Sequence, residues 1–155
     1  MSDRIQNLVD LGKLAREPAG DDEIVGLWSN ALQAFADALV SGLSASGRLV
    51  RAYDAGRIAA MAVVRSRDLR VRAANHHEMT LAVARLIGGP ELGQAVADLD
   101  GFRTRRTEVE YGWQVAVSAE DAERATEVAR RVLRHGAIDL REHRTTLVNR
   151  IEPPG

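Results

Sequence analysis

Apolar residues along this chain return every three or four positions, and that spacing predicts a succession of helices. Ile5, Leu8, Val9 and Leu11 form the first stripe, over residues 3–14, and REPAG at 16–20 ends it with Pro18 and Gly20. Asp21 or Asp22 is placed to cap a second helix with the stripe Trp28, Leu32, Phe35, Leu39 and Leu43, broken by SASG at 44–47. A third helix runs from about Leu49 to Ser66, with Val50, Tyr53, Arg57, Met61 and Val64 along one side. A fourth covers roughly 75–87 and stops at Gly88 and Gly89, and Pro90 is well placed to start a fifth over about 91–111. Leu92, Val96, Leu99, Phe102, Arg106 and Val109 share its stripe. Ser118 with Asp121 resembles a capping box for a sixth helix, carried through Ala125, Val128 and Val132 to about His135. Gly136 ends or kinks it, and a last helical piece reaches Val148 before Pro153 and Pro154.

Two stretches fall outside this rhythm. RDLRVRAA at 67–74 has no clear period and reads as a loop, and WQVAV at 113–117 is the one strand candidate, too short to matter. The expectation is an all-α, up-and-down antiparallel bundle of five to six helices. It forms one domain over residues 1–155, with a core at roughly 5–140 and a C-terminal helical extension at 137–150.

Composition narrows the function classes. A chain of 155 residues with 45% hydrophobic and 28% charged positions is long enough to bury one core. Its apolar runs are only a few residues long, so no membrane-spanning helix is expected. The first residues, MSDRIQNLVD, are polar and carry no signal-peptide core. The absence of cysteine removes disulfides and thiolate zinc sites and fits the cytoplasm. A net charge of −1 argues against indiscriminate coating of nucleic acid, although a local basic face is compatible with it. All basic residues but Lys13 are Arg, which reads either as GC-rich codon usage or as bidentate contact with phosphate or carboxylate.

The arginines cluster in GFRTRRTEVEYGWQ at 101–114, with Arg103, Arg105 and Arg106 inside four positions. Arg106 lies on the stripe that should face the core, so it needs a partner or an interface. Asp54 is a candidate intramolecular partner; a dimer seam and a phosphate groove are the alternatives. Arg103 and Glu110, seven apart, suggest an exposed, salt-bridged strip. Tyr53, Asp54 and Arg57 form a polar cluster on an alanine-rich helix, and Asp54 with Arg57 at i, i+3 is placed to pair and fix register. His76 and His77 are adjacent and point apart, so they make a poor chelate without a third ligand such as Glu78 or Glu110. No metal or cofactor is expected. One of the two histidines is instead a candidate general base or phosphate contact.

AYDAGRIAAMAVV, RVRAANHHEMTLAVARLI, DLDGFRTRRTEVEYG and SAEDAERATEVARRVL fall in the order and spacing of HEPN-domain proteins, and the chain resembles that family over roughly residues 5–140. The resemblance implies a helical bundle that usually dimerises, often as a metal-independent ribonuclease toxin beside a nucleotidyltransferase or antitoxin partner. The family motif is an arginine, a polar residue, three to five further residues and a histidine. Arg106 matches the arginine, Thr107 the polar position, and Tyr111 stands where the histidine belongs. A phenol with a pKa near 10 is a poor base where an imidazole near 6.5 is a good one. The resemblance therefore implies a homodimer that binds RNA or a nucleotide through Arg103, Arg105, Arg106 and Thr107, with weak or absent cleavage. The alternatives are an active ribonuclease toxin using His76 or His77, and a helical module that binds only proteins.

Overall fold

The computed structural model describes residues 2–112 and 116–154. The chain is all-α, with one small two-stranded sheet. Its described helices are α1 (Ser2–Asp10), α2 (Asp21–Ala38), α3 (Ala45–Ser66), α4 (His76–Ile87), α5 (Pro90–Asp100), α6 (Arg103–Tyr111) and α7 (Ala119–His143), followed by a 3₁₀ turn at Thr145–Leu147. Among the described residues seven helices thus stand where five to six were expected.

α3 is the axis of the bundle. α2 and α7 pack along it, and α4, α5 and α6 cover its remaining sides. Its alanines explain why. Ala52, Ala55, Ala59, Ala60 and Ala62 are all buried and let neighbouring helices approach closely. Gly56 sits so tightly against α5 that a Cβ there would lie 2.6 Å from Leu99 Cδ2. Gly136 does not end α7. It lies mid-helix under Trp28, where a Cβ would come within 3.3 Å of the indole, so the glycine serves close packing.

The fifth predicted helix is two. Phe102 N–H donates to Leu99 C=O at 2.9 Å, a tight turn at Gly101 and Phe102 that ends α5 and restarts the chain as α6. The apolar stripe passes through this break because half-buried Phe102 still reaches the core. At the N-terminal end α1 stops at Asp10, and Leu11, assigned to its stripe, is 68% exposed. α2 stops at Ala38, leaving Leu39 and Leu43 outside the core. The SASG segment caps the next helix: Ser44 Oγ accepts from Gly47 N–H at 3.0 Å.

RDLRVRAA is not a plain loop. β2 (Leu69–Val71) pairs antiparallel with β1 (Leu14–Arg16), aligning Leu14 with Val71 and Arg16 with Leu69. Leu69 and Val71 point inward and Arg70 outward, the alternation of a half-buried strand. Three residues are too few for that alternation to show in a sequence. Of the WQVAV strand candidate, residues 113–115 lie outside the described residues, and Ala116 and Val117 form no strand.

Two arginines hold the segments around this sheet. Arg65, on α3, is 3% exposed and donates to Glu23 at 2.6 Å and to the carbonyls of Glu17, Pro18 and Leu69 at 2.9–3.2 Å. Arg144, just past α7, donates to Ser66 O at 3.0 Å, Ala19 O at 2.8 Å, Asp21 at 3.1 Å and Asp68 at 3.0 Å. Asp68 takes a positive φ of 57°, and its carboxylate also accepts from Ala19 N–H at 2.9 Å.

A candidate anion site between α3, α4 and α6

The polar residues marked in the sequence on three separate helices meet in space. Tyr53 and Arg57 are four apart on α3 and so share a face. α6 lies over that face, fastened by Arg106 Nη2 at 3.4 Å from Asp54 Oδ1. The N-terminus of α4 closes the side, where Arg103 Nη1 lies 3.9 Å from Glu78 Oε2. His77, in the first turn of α4, feels the charges of Arg57 and Arg106. Between α4 and α6 lies an open cavity of about 340 Å³ lined by Asn75, His76, His77, Glu78, Arg103 and Thr107.

Tyr53 is fully buried, and its hydroxyl has no hydrogen-bond partner among the described residues. Burial pushes that phenol up to about 12, so it stays protonated and is a donor. Arg57 Nε is likewise buried without a hydrogen-bond partner among the described residues. Burial lowers the guanidinium's pKa, partly opposed by the Asp54 carboxylate. The expected Asp54–Arg57 pair does not form within ion-pair distance: Asp54 turns instead to Arg106 and to Arg51 Nη1, 3.6 Å away. A buried, unmatched donor ordinarily costs about 1–3 kcal/mol, and this cluster holds two.

The three arginines of the GFRTRR run do not form one track. Arg103 Nε donates to Asp100 at 2.9 Å, and that hydrogen bond holds its pKa above the usual value. Arg105 points to the start of α7, donating to Ala116 O at 2.7 Å and Asp121 at 3.0 Å. Arg106 points inward. Thr107 Oγ1 donates back to Arg103 O at 3.1 Å. Tyr111 is 79% exposed, and five residues along a helix put it about 140° around from Arg106. Within one chain the two motif positions therefore face different ways. The side chain of Glu110 lies outside the described residues, so the Arg103–Glu110 strip and a ligand role for Glu110 do as well.

Among the described residues no cluster of three or more His, Asp or Glu is arranged to hold a metal ion, and no helix is long and apolar enough to cross a membrane. No protein-family model, no curated protein and no solved structure matches this chain.

The histidine supplies a direct test of the cluster. Burial first, then Arg57, Arg106 and His76, disfavour imidazolium at His77, so its folded pKa lies below the unfolded value near 6.5. A depressed pKa means that the unfolded chain binds the proton more readily. The associated stability is complete above about pH 6.5 and is lost as pH falls through the folded pKa. An NMR titration of the parent should place the His77 midpoint below 6.5, and Arg57→Ala should move it upward. An unmoved midpoint would show that the two groups do not sense each other.

Proposed function

We propose that this chain is a HEPN-like, homodimeric helical protein that binds the phosphate of RNA or of a nucleotide at the α3–α4–α6 cluster, with weak or absent ribonuclease activity. One observation carries the reading: two buried donors, the Tyr53 hydroxyl and Arg57 Nε, lack hydrogen-bond partners among the described residues beside Arg106 and His77. An anion accepting from both would satisfy them. Weak cleavage follows from the Arg106-to-Tyr111 motif. A phenol is a poor general base where the resemblance calls for an imidazole. His77 is the group best suited to residual proton transfer, since its lowered pKa keeps it neutral at pH 7. A toxin–antitoxin or defence setting, with an antitoxin or nucleotidyltransferase partner, is the context the resemblance suggests, and cytoplasmic location agrees with it.

The test uses a labelled single-stranded RNA in anisotropy titrations at several salt concentrations. Arg57→Ala should weaken binding and flatten the log K against log salt slope by about 0.7 for each phosphate that the variant no longer neutralises. Tyr111→Phe should keep most of the affinity, and Tyr111→His should raise cleavage, unaffected by chelators. Sedimentation should give twice the 16.9 kDa chain mass. No RNA binding by the parent and no gain in Tyr111→His would reject the reading.

A second reading, a helical module that binds only proteins, has its own support. Arg103, Arg105 and Arg106 are each paired with carboxylates of the same chain. In that case their work is internal, and RNA affinity would be absent at every salt concentration.

A further inference from the structure

A cavity of about 650 Å³ lies away from the polar cluster, between α1 and α4. Its floor is apolar: Leu8 from α1, with Met79, Ala82 and Leu86 from α4. The α4 residues fall at i, i+3 and i+7, one face of the helix, and their span is about 10 Å or two turns. Leu8, Met79 and Leu86 are half-buried against the core, and Ala82 is exposed. The groove exists because α1 docks chiefly through β1 and does not pack closely on α4.

Its rims are basic. Arg4 stands on the α1 side and Arg85 on the α4 side, both exposed, and no acidic residue lines the groove among the described residues. Most other arginines of the chain reach a carboxylate, among them Arg48, Arg51, Arg65, Arg67, Arg131 and Arg144. Arg4 and Arg85 have no such neighbour within ion-pair distance among the described residues.

We propose that this groove receives an acidic amphipathic helix from a partner protein. Apolar side chains spaced i, i+3 or i+4, and i+7 would enter along Met79, Ala82 and Leu86, and flanking carboxylates would meet Arg4 and Arg85. A helix is the occupant whose length matches two turns of open wall. A second copy of this chain is a poor fit, because a two-fold contact through the groove sets its arginines against arginines. Nucleic acid is equally poor, since a phosphate backbone brings charge without apolar side chains for the floor. Occupancy of the groove does not depend on RNA binding at the α3–α4–α6 cluster.

The probe is a labelled synthetic helical peptide with leucines at i, i+3, i+4 and i+7 and glutamates at the flanks, titrated by anisotropy against the full chain. A companion peptide carries glutamine at every glutamate. The acidic peptide should bind with micromolar affinity. The glutamine peptide, and the acidic peptide on an Arg4→Glu/Arg85→Glu protein, should each bind about tenfold more weakly. Ala82→Trp should fill the groove and abolish binding, while circular dichroism shows every variant folded as the parent. Equal binding of both peptides, undiminished binding to Ala82→Trp, or no binding by the parent would overturn the proposal. So would a sedimentation result in which Ala82→Trp splits a dimer, which would assign the groove to a second copy.

Discussion

Trp28→Ala is expected to destabilise the protein by about 3–5 kcal/mol, the range for removing a large buried aromatic. The indole is almost wholly buried against Gly136, and its Nε1–H donates to Glu152 O at 2.7 Å. The truncation therefore opens a cavity between α2 and α7 and removes the bond that holds the segment after the 3₁₀ turn. Thermal unfolding followed by circular dichroism should show a fall of about 10 °C or more. Trp28→Phe should fall between the parent and the alanine variant, because it keeps much of the packing and loses the Glu152 bond. A drop of only a degree or two in the alanine variant would mean that α7 collapses onto α2 without the indole.

Arg65→Ala is the second large expectation, at about 2–4 kcal/mol. Breaking a buried ion pair typically costs about 3–5 kcal/mol. The lower range applies here because Glu23 is partly exposed, and solvent compensates some of its loss. Three backbone carbonyls, of Glu17, Pro18 and Leu69, lose their donor as well. Urea unfolding should show a lower midpoint with an unchanged slope. The double variant Arg65→Met/Glu23→Leu should recover part of the deficit, since it removes a carboxylate that has lost its shortest partner and keeps the more distant Arg70 at 3.6 Å. A double variant as unstable as Arg65→Ala would place the loss in the carbonyls.

The helices were legible wherever an apolar stripe met a chemical stop. α4 ends at Gly88 and α5 begins at Pro90, as the punctuation reads, and Ser118 with Asp121 forms a full capping box at α7. Reading failed where the deciding contact was distant in sequence. Leu69 to Val71 become a strand only beside Leu14 to Arg16, and Arg65 is a core residue only because the chain before α2 returns to it. Gly136 shows the opposite error: a residue that usually ends helices is retained inside one because an indole lies on it. In the candidate site, sequence marked Tyr53, Asp54, Arg57, His77 and Arg106 individually. The Arg106–Asp54 pair is among the partners the stripe suggests, and it forms; that Arg57 is left without Asp54, and that α4 brings His77 to the same place, depends on packing that periodicity does not encode.

Arg144 bears on the order in which the chain can fold. Its bonds reach residues separated by 76 to 125 positions, and they connect the turn after α3 to the segment before α2. Contacts of such long separation form only after the intervening loop has been closed, at an entropic cost that local helix formation does not carry. α2, α3 and α4 can therefore assemble through near neighbours, with the Ala19–Asp68 corner held by Asp68 and Arg65. On a ribosome the Arg144 guanidinium joins that corner only once α7 has emerged complete. A residue that follows α7 thus fastens a segment that precedes α2.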